Sequence, residues 1–220
     1  MKNVDDILRL KQFDSVPVPF GALRELYSDF SSPAKKIAEL NSQGLLVRVK
    51  RGLYIVSEKI AGGKPDGELI ANHLHGPSYI SMETALQYYG MVPEGVYSFE
   101  SATTRRPKQY NTPYGVFRYH NIPIDYYRIG IQIVRIKKVC AWLIASPEKS
   151  LCDLLVKTRR LQIRSRVSML SYLLEFLRIE EESLAGLDTA LIHECVKTGP
   201  KKETLHYLEE AVKWIKSSGI

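Results

Sequence analysis

Residues 33–56 read PAKKIAELNSQGLLVRVKRGLYIV, and the order of signals within them decides the fold of the N-terminal region. Ser32-Pro33 is a helix start, since a serine can satisfy free amides and proline is pre-shaped for the first turn. The helix is expected to run to about Gln43, with Gly44 as its left-handed stop. At about 100° per residue, Ala34, Ile37, Leu40 and Asn41 share one face, with Lys35, Lys36, Glu39, Ser42 and Gln43 opposite. Residues 45–49 then alternate as a strand, Lys50-Arg51-Gly52 makes a turn, and 53–56 returns as its partner.

Upstream, Val4, Ile7, Leu8 and Lys11 behind Asn3 describe a first helix ending near Gln12. Pro17 and Pro19 interrupt it, and residues 20–27 form a short second helix with Leu23, Leu26 and Tyr27 on one side. Three helices followed by a β-hairpin is the winged helix-turn-helix order. In that fold the third helix enters the major groove of DNA and the hairpin turn reaches the adjacent backbone. The candidate DNA-binding residues are therefore Lys35, Lys36, Glu39, Ser42 and Gln43 at the groove, with Arg48, Lys50 and Arg51 on phosphates. The alternative use of the same surface is an ordinary solvated face that meets a protein.

Downstream, residues 59–66 with Gly62, Gly63 and Pro65 read as a linker. The expected division is 1–58 for the winged helix, 59–66 for the linker and 67–220 for a second domain. In that domain 67–75 and 81–89 read as helices, Ser81 as a cap and Gly90 as a stop; 97–103, 115–119 and 131–136 read as strands. Ser146-Pro147-Glu148 starts a helix running to about Thr158, and 167–177 and 204–217 are amphipathic helices. The fold class is α+β: an N-terminal winged helix-turn-helix, then a mixed α+β domain with a helical C-terminal end.

The 220 residues carry a formal charge of +7, unevenly spread. Net charge is +2 over residues 1–58, −3 over 59–100, +11 over 101–170 and −3 over 171–220. A winged helix of only +2 is thinly charged for DNA, so a homodimer or help from the basic stretch is expected. Arg105, Arg106 and Lys108, with Tyr110 and Tyr114 interleaved, and further on Arg135, Lys137 and Lys138, are candidates for contact with nucleic acid or with an acidic partner.

Other function classes are poorly served. No apolar run approaches the roughly 20 residues of a membrane span, and a cytoplasmic location is expected. Cys140, Cys152 and Cys195 are widely spaced, which opposes a disulfide framework or a metal knuckle, so reduced structural thiols are expected. His73 and His75 diverge on a helix, His193 and Cys195 lie near no oxyanion nest, and Gly62-Gly63-Lys64 lacks the phosphate-loop pattern. Glu148 and Asp153 lack the acidic strand arrangement of a nuclease. No catalysis, metal or cofactor is expected.

Three motifs carry a family likeness: Gly44-Leu45-Leu46-Val47-Arg48 leading to Arg51-Gly52-Leu53-Tyr54; Gly76-Pro77-Ser78-Tyr79-Ile80-Ser81 with Thr84-Ala85-Leu86 and Tyr89-Gly90; and Ser146-Pro147-Glu148-Lys149-Ser150-Leu151-Cys152-Asp153-Leu154-Leu155. In this order the chain resembles the AbiEi-like antitoxins of type IV, abortive-infection toxin-antitoxin systems. The resemblance implies a transcriptional autorepressor that binds its own promoter. It also implies a second domain that opposes a nucleotidyltransferase-like toxin, by direct contact or indirectly. Each motif has a plainer reading as a fold determinant. The other functions open to the sequence are a stand-alone regulator or scaffold whose second domain binds a protein, and a nucleic-acid-processing enzyme.

Overall fold

The computed structural model describes residues 2–93, 98–136 and 140–218, and among them the chain is mixed α+β with two sheets. The first seven elements are α1 (Lys2–Lys11), β1 (Val18–Pro19), α2 (Phe20–Leu26), α3 (Pro33–Ser42), β2 (Leu46–Lys50), β3 (Leu53–Val56) and α4 (Glu58–Ala61). β1, β3 and β2 form an antiparallel sheet in that spatial order. The stops foreseen at Gly44 and Gly52 are left-handed, with φ of 71° and 80°, a conformation that glycine adopts without the steric penalty of a Cβ. Leu10, Leu23, Tyr27, Ile37, Leu40, Leu46 and Val56 close a small core beneath the helices.

Residues 59–66 differ from the linker expected there. Residues 58–61 are helical, Ile60 is buried in the N-terminal core, and the Asp66 carboxylate caps the next helix by accepting from Leu69 N at 2.9 Å. Only residues 62–66 remain between elements, the last of them the cap. A large apolar side chain at Ile60 and a capping acid at Asp66 are structural commitments that a Gly-rich composition conceals.

The second region runs α5 (Gly67–Leu74), β4 (Ser78–Ile80), α6 (Met82–Tyr88), β5 (Ser98–Thr103), β6 (Lys108–Thr112), β7 (Gly115–Asn121), α7 (Ile124–Tyr127), β8 (Ile131–Ile136) and β9 (Cys140–Ala145). Its six strands pair in the order β6-β7-β5-β4-β9-β8, parallel at β5/β7 and β4/β9 and antiparallel elsewhere. A helical end follows: α8 (Pro147–Lys157), α9 (Arg166–Ser171) running into a π-helical turn at Tyr172–Phe176, α10 (Glu181–Ala185), α11 (Thr189–Thr198) and α12 (Lys202–Ser218). The expected strand start at Tyr97 lies outside the described residues. No described helix is long and apolar enough to cross a membrane.

The hairpin β2-β3 is covered on both faces. Side chains alternate along a strand, so Leu46 and Val56 turn to the N-terminal helices while Val49, Leu53 and Ile55 turn the other way. There they share one core with Leu69, Ile70 and Leu74 of α5 and with Ile80, Phe117, Trp142 and Ile144 of the six-stranded sheet. Polar contacts fix α5 as well: Asn72 Oδ1 accepts from Leu143 N at 2.7 Å, and Tyr119 OH donates to Ala71 O at 2.6 Å. The N-terminal region is thus fused to the larger sheet through the hairpin.

Candidate nucleic-acid interface

On α3 the exposed face consists of Ala34, Lys35, Ala38, Glu39, Ser42 and Gln43. Two of these polar groups are tied to Glu39: Ser42 Oγ donates to its carbonyl at 2.7 Å and Gln43 Nε2 to its carboxylate at 3.0 Å. Lys35 has no side-chain partner among the described residues, whereas Lys36 does not belong to this face. Lys36 is buried, and its ammonium bonds the buried Asp6 carboxylate of α1 at 2.8 Å. It lies one turn before Leu40 on the anchoring side, and Ala34, expected on that side, is exposed. A lysine inside a helix interface is stable only when paired, and the partner is 30 residues away in sequence. The cleft between α1 and α3, of about 500 Å³, accordingly mixes Asp5, Asp6 and Glu39 with Lys35 and Lys36 and offers phosphates no net attraction.

The hairpin turn also divides its cations. Arg48 and Arg51 are exposed, and neither guanidinium has an acidic partner among the described residues; Arg48 is fixed through its backbone N–H, which donates to Asn41 Oδ1 at 3.1 Å. Lys50, expected on a phosphate, turns inward instead. The β2-β3 ladder slips by one residue between Arg48 and Lys50, and a bulge of this kind re-aims the side chain that follows it. The Lys50 ammonium donates to the carbonyls of His73 and Leu74, capping the C-terminal end of α5, where lone-pair oxygens and the helix dipole favour a cation.

That inward turn brings the hairpin against the segment 105–108 of the second region. Burial lowers the Lys50 pKa, and the charges of Lys108 and Arg105 lower it further. His75, whose Nε2 lies 3.2 Å from Arg106 O, is lowered by burial and then by Lys108, Arg105 and Lys50, against a raising effect of that hydrogen bond. These cations therefore share one electrostatic neighbourhood. Arg105, Arg106 and Lys108 are exposed with no carboxylate partner among the described residues, and Lys108 sits 4.9 Å above the Tyr110 ring. Sequence reading offered Arg105, Arg106 and Lys108 as help for the hairpin's cations but did not include His75 or the inward turn of Lys50 between them. Nothing in a sequence announces a contact across 30 or more residues.

Arg135 does not join this group. It is exposed on β8, the opposite edge strand from β6, five strand spacings or about 24 Å across the sheet. Lys137 and Lys138 lie outside the described residues.

The motif 146–155 is chemically the richest in the chain, and it is interior. Lys149 and Asp153 are both 0% exposed and bond each other at 2.7 Å. Asp153 also accepts from Tyr79 OH at 2.9 Å and Ser81 Oγ at 2.7 Å, and the Lys149 ammonium lies 3.0 Å from the Tyr126 ring centre. Ser81, expected as a helix cap, gives its hydroxyl to this network instead; its own helix has no side-chain cap. Ser146 does cap α8 through Lys149 N. Burial and Asp153 push the Tyr79 hydroxyl far above its ordinary range.

A second network surrounds Glu100 on β5, which accepts from Ser98, Arg118, His120 and Lys157. Burial pushes its carboxyl up, but the His120 hydrogen bond, the Lys157 charge and the Ser98 hydroxyl outweigh that and hold it down at about 2. His73 turns back on Leu69 O, His193 meets Glu209, and Cys195 is buried beside Cys152 with both thiols free. No three His, Cys, Asp or Glu side chains converge as a metal-ligand set among the described residues.

No family model matches the sequence, and no curated protein matches it either. Among solved structures the chain is similar to the RV2827C protein from Mycobacterium tuberculosis, with a TM-score of 0.58 over 96% of this chain and 79% of that one. At 12% identity the likeness is one of fold, and it shows that the mixed α+β arrangement of nearly the whole chain recurs in that protein.

Proposed function

We propose that the protein is a double-stranded DNA-binding transcriptional autorepressor whose N-terminal region works as a winged helix-turn-helix. On the resemblance carried by its three motifs, it serves as the antitoxin of a type IV system, opposing a nucleotidyltransferase-like toxin. The observation that carries the DNA reading is a set of exposed cations without acidic partners among the described residues. They are Arg48 and Arg51 on the hairpin and Arg105, Arg106 and Lys108 on the 105–108 segment, and the strands β2 and β6 are in contact. Cations facing an acidic protein are commonly interspersed with carboxylates; a band of one sign suits a polyanion.

Lys35, Ser42 and Gln43 on the exposed side of α3 read base edges or phosphates in this proposal, and Glu39 accepts from a cytosine amine. Ala34 and Ala38 between them let the helix approach closely. The second region supplies the charge that the N-terminal region lacks. Because the hairpin and the sheet share a core, the two clusters hold a fixed spacing, so little ordering entropy is lost on binding. Five phosphate contacts correspond to a slope of about −4.5 in log affinity against log salt.

The test is a salt titration against the protein's own upstream DNA and a scrambled duplex of equal length. A preference of roughly 10³ or more supports a specific repressor. Arg51→Ala and Arg105→Ala are each expected to reduce the salt slope by about one unit on both duplexes, whereas a change at Gln43 alters the preference between them. An Arg105→Ala slope equal to that of the parent protein removes the second region from the interface. Co-expression with a neighbouring nucleotidyltransferase-like gene tests the antitoxin role: growth restored by the parent protein supports it, and undiminished toxicity overturns it.

A further inference from the structure

A cleft of about 250 Å³ lies behind the 105–108 turn, lined by Met82, Pro107, His120, Asn121, Lys157 and Arg159 among others. Its walls come from four parts of the fold: the start of α6, the 105–108 turn, the end of β7 and the end of α8. Met82, Pro107, Ile122 and Val156 are its apolar lining, and His120, Lys157 and Arg159 its basic lining. Lys157 is half-buried and bonds Glu83 at 3.0 Å and Glu100 at 3.1 Å, so those carboxylates are already occupied. His120 bonds Glu100 as well. Arg159 is exposed and has no partner among the described residues, which leaves one uncompensated positive charge at the mouth. Met82 holds a left-handed backbone, φ 55°, while fully buried, a conformation that surrounding structure must enforce on a residue with a side chain and that clusters at binding sites.

We propose that this cleft binds a small oxyanion, a phosphate or carboxylate carried on a body of roughly ten non-hydrogen atoms at most, since 250 Å³ is the space of about eight waters. Arg159 takes the charge, the second N–H of the Asn121 amide supplies a directed donor, and Met82 and Pro107 meet the apolar body. The cleft and the proposed DNA surface share one element. Pro107 is part of the turn, and Asn121 Nδ2 donates to Arg105 O at 3.0 Å. An anion seated there places negative charge behind Arg105, Arg106 and Lys108 and engages the amide that holds the turn. Bound ligand therefore weakens DNA binding, and by linkage DNA weakens the ligand by the same factor. This regulatory step rests on the DNA reading; the binding step does not.

The experiment separates them. First, with no DNA present, inorganic phosphate is titrated into the full-length protein at constant ionic strength, with amide and side-chain NMR shifts as the readout. Saturable shifts at Lys108 and the Asn121 side-chain amide are expected, with a dissociation constant on the order of 1 mM. Arg159→Gln, a surface change, is expected to weaken them at least tenfold, and Arg159→Lys to restore part. Shifts that do not saturate, or that are equal in Arg159→Gln, overturn the site. Second, DNA affinity is compared with and without phosphate at equal ionic strength. A loss of about fivefold in the parent, absent in Arg159→Gln, is expected. Phosphate binding without that loss overturns the regulatory step and leaves the site, and failure to bind DNA at all counts against the DNA reading alone.

Discussion

Residues 146–155 and the band made by Arg48, Arg51, Arg105, Arg106 and Lys108 both look reactive in sequence, yet the fold treats them in opposite ways. The first segment holds serine, glutamate, lysine, cysteine and aspartate within ten positions, and nearly all of it is buried with partners satisfied. The second is plain arginine and lysine, exposed and without carboxylate partners among the described residues. Chemical richness in sequence marks groups that must be satisfied, and the interior satisfies them completely in the first case. Charge left unsatisfied at the surface is what remains available to a partner. The same contrast recurs between neighbours on α3, where Lys35 has no side-chain partner among the described residues and Lys36 is paired with Asp6.

The sharpest way to break this comparison is Asp153→Ala. It strands the fully buried Lys149 and removes the acceptor of Tyr79 and Ser81, so a loss of about 3–5 kcal/mol is expected. The thermal midpoint falls by roughly 10–15 °C, read by calorimetry. A stability near that of the parent would show the segment to be solvated and open to a functional role. Next in size, Ile55→Ala cuts the core that joins hairpin to sheet, at about 2–5 kcal/mol. Denaturation is expected to remain a single transition lowered as a whole; two separated transitions would mean that the regions are independent and the band of cations is not rigid.

Lys36→Ala and Lys35→Ala sharpen the contrast within one helix. The first leaves Asp6 buried and unpaired, a loss of about 2–3 kcal/mol with the DNA salt slope unchanged. The second leaves stability within about 0.5 kcal/mol and weakens DNA binding. Reversed outcomes would exchange the roles of the two lysines. Glu100 supplies the acid-side test. Its carboxyl is held at about 2 in the folded protein against 4.5 ordinarily, so its contribution is complete above pH 4.5 and is lost as pH falls from 4.5 towards 2. Glu100→Gln is expected to flatten stability in that window, and an unchanged acid profile would show that Glu100 is not ionised in its network.

Much of the secondary structure was legible. Residues 20–26, 33–42 and 147–157 announce their helices through Pro19, Pro33 and Ser146-Pro147, because the start of a helix is a local event. The strands β5, β7 and β8 show through their aromatic and β-branched residues. β9 was not read because CAWLIA is apolar throughout and lacks alternation, and β4 because it is only three residues long. β6 was missed because an edge strand of sequence KQYNT is nearly all polar. The hairpin carried a signal that went unused: Leu46, Val47, Val49, Leu53, Ile55 and Val56 are apolar on both sides, which a wing exposed on one face has no reason to be. Of the candidate site, Lys35, Glu39, Ser42, Gln43, Arg48, Arg51 and the 105–108 cations stand exposed as the pattern required.

The sequence by itself determined the α+β class, the order of helices and hairpin at the N-terminus, the stops at Gly44 and Gly52 and the concentration of charge in residues 101–170. Each of these depends on near neighbours or on composition. Only the tertiary structure decided which cations are free. Lys36 was claimed by an acid 30 positions away, Lys50 by carbonyls 23 and 24 positions away, and Arg135 was carried to the far edge of the sheet. A charged side chain is identical in sequence whether solvated or buried. The difference is the cost of removing it from water, and that is set by which distant segments dock against it.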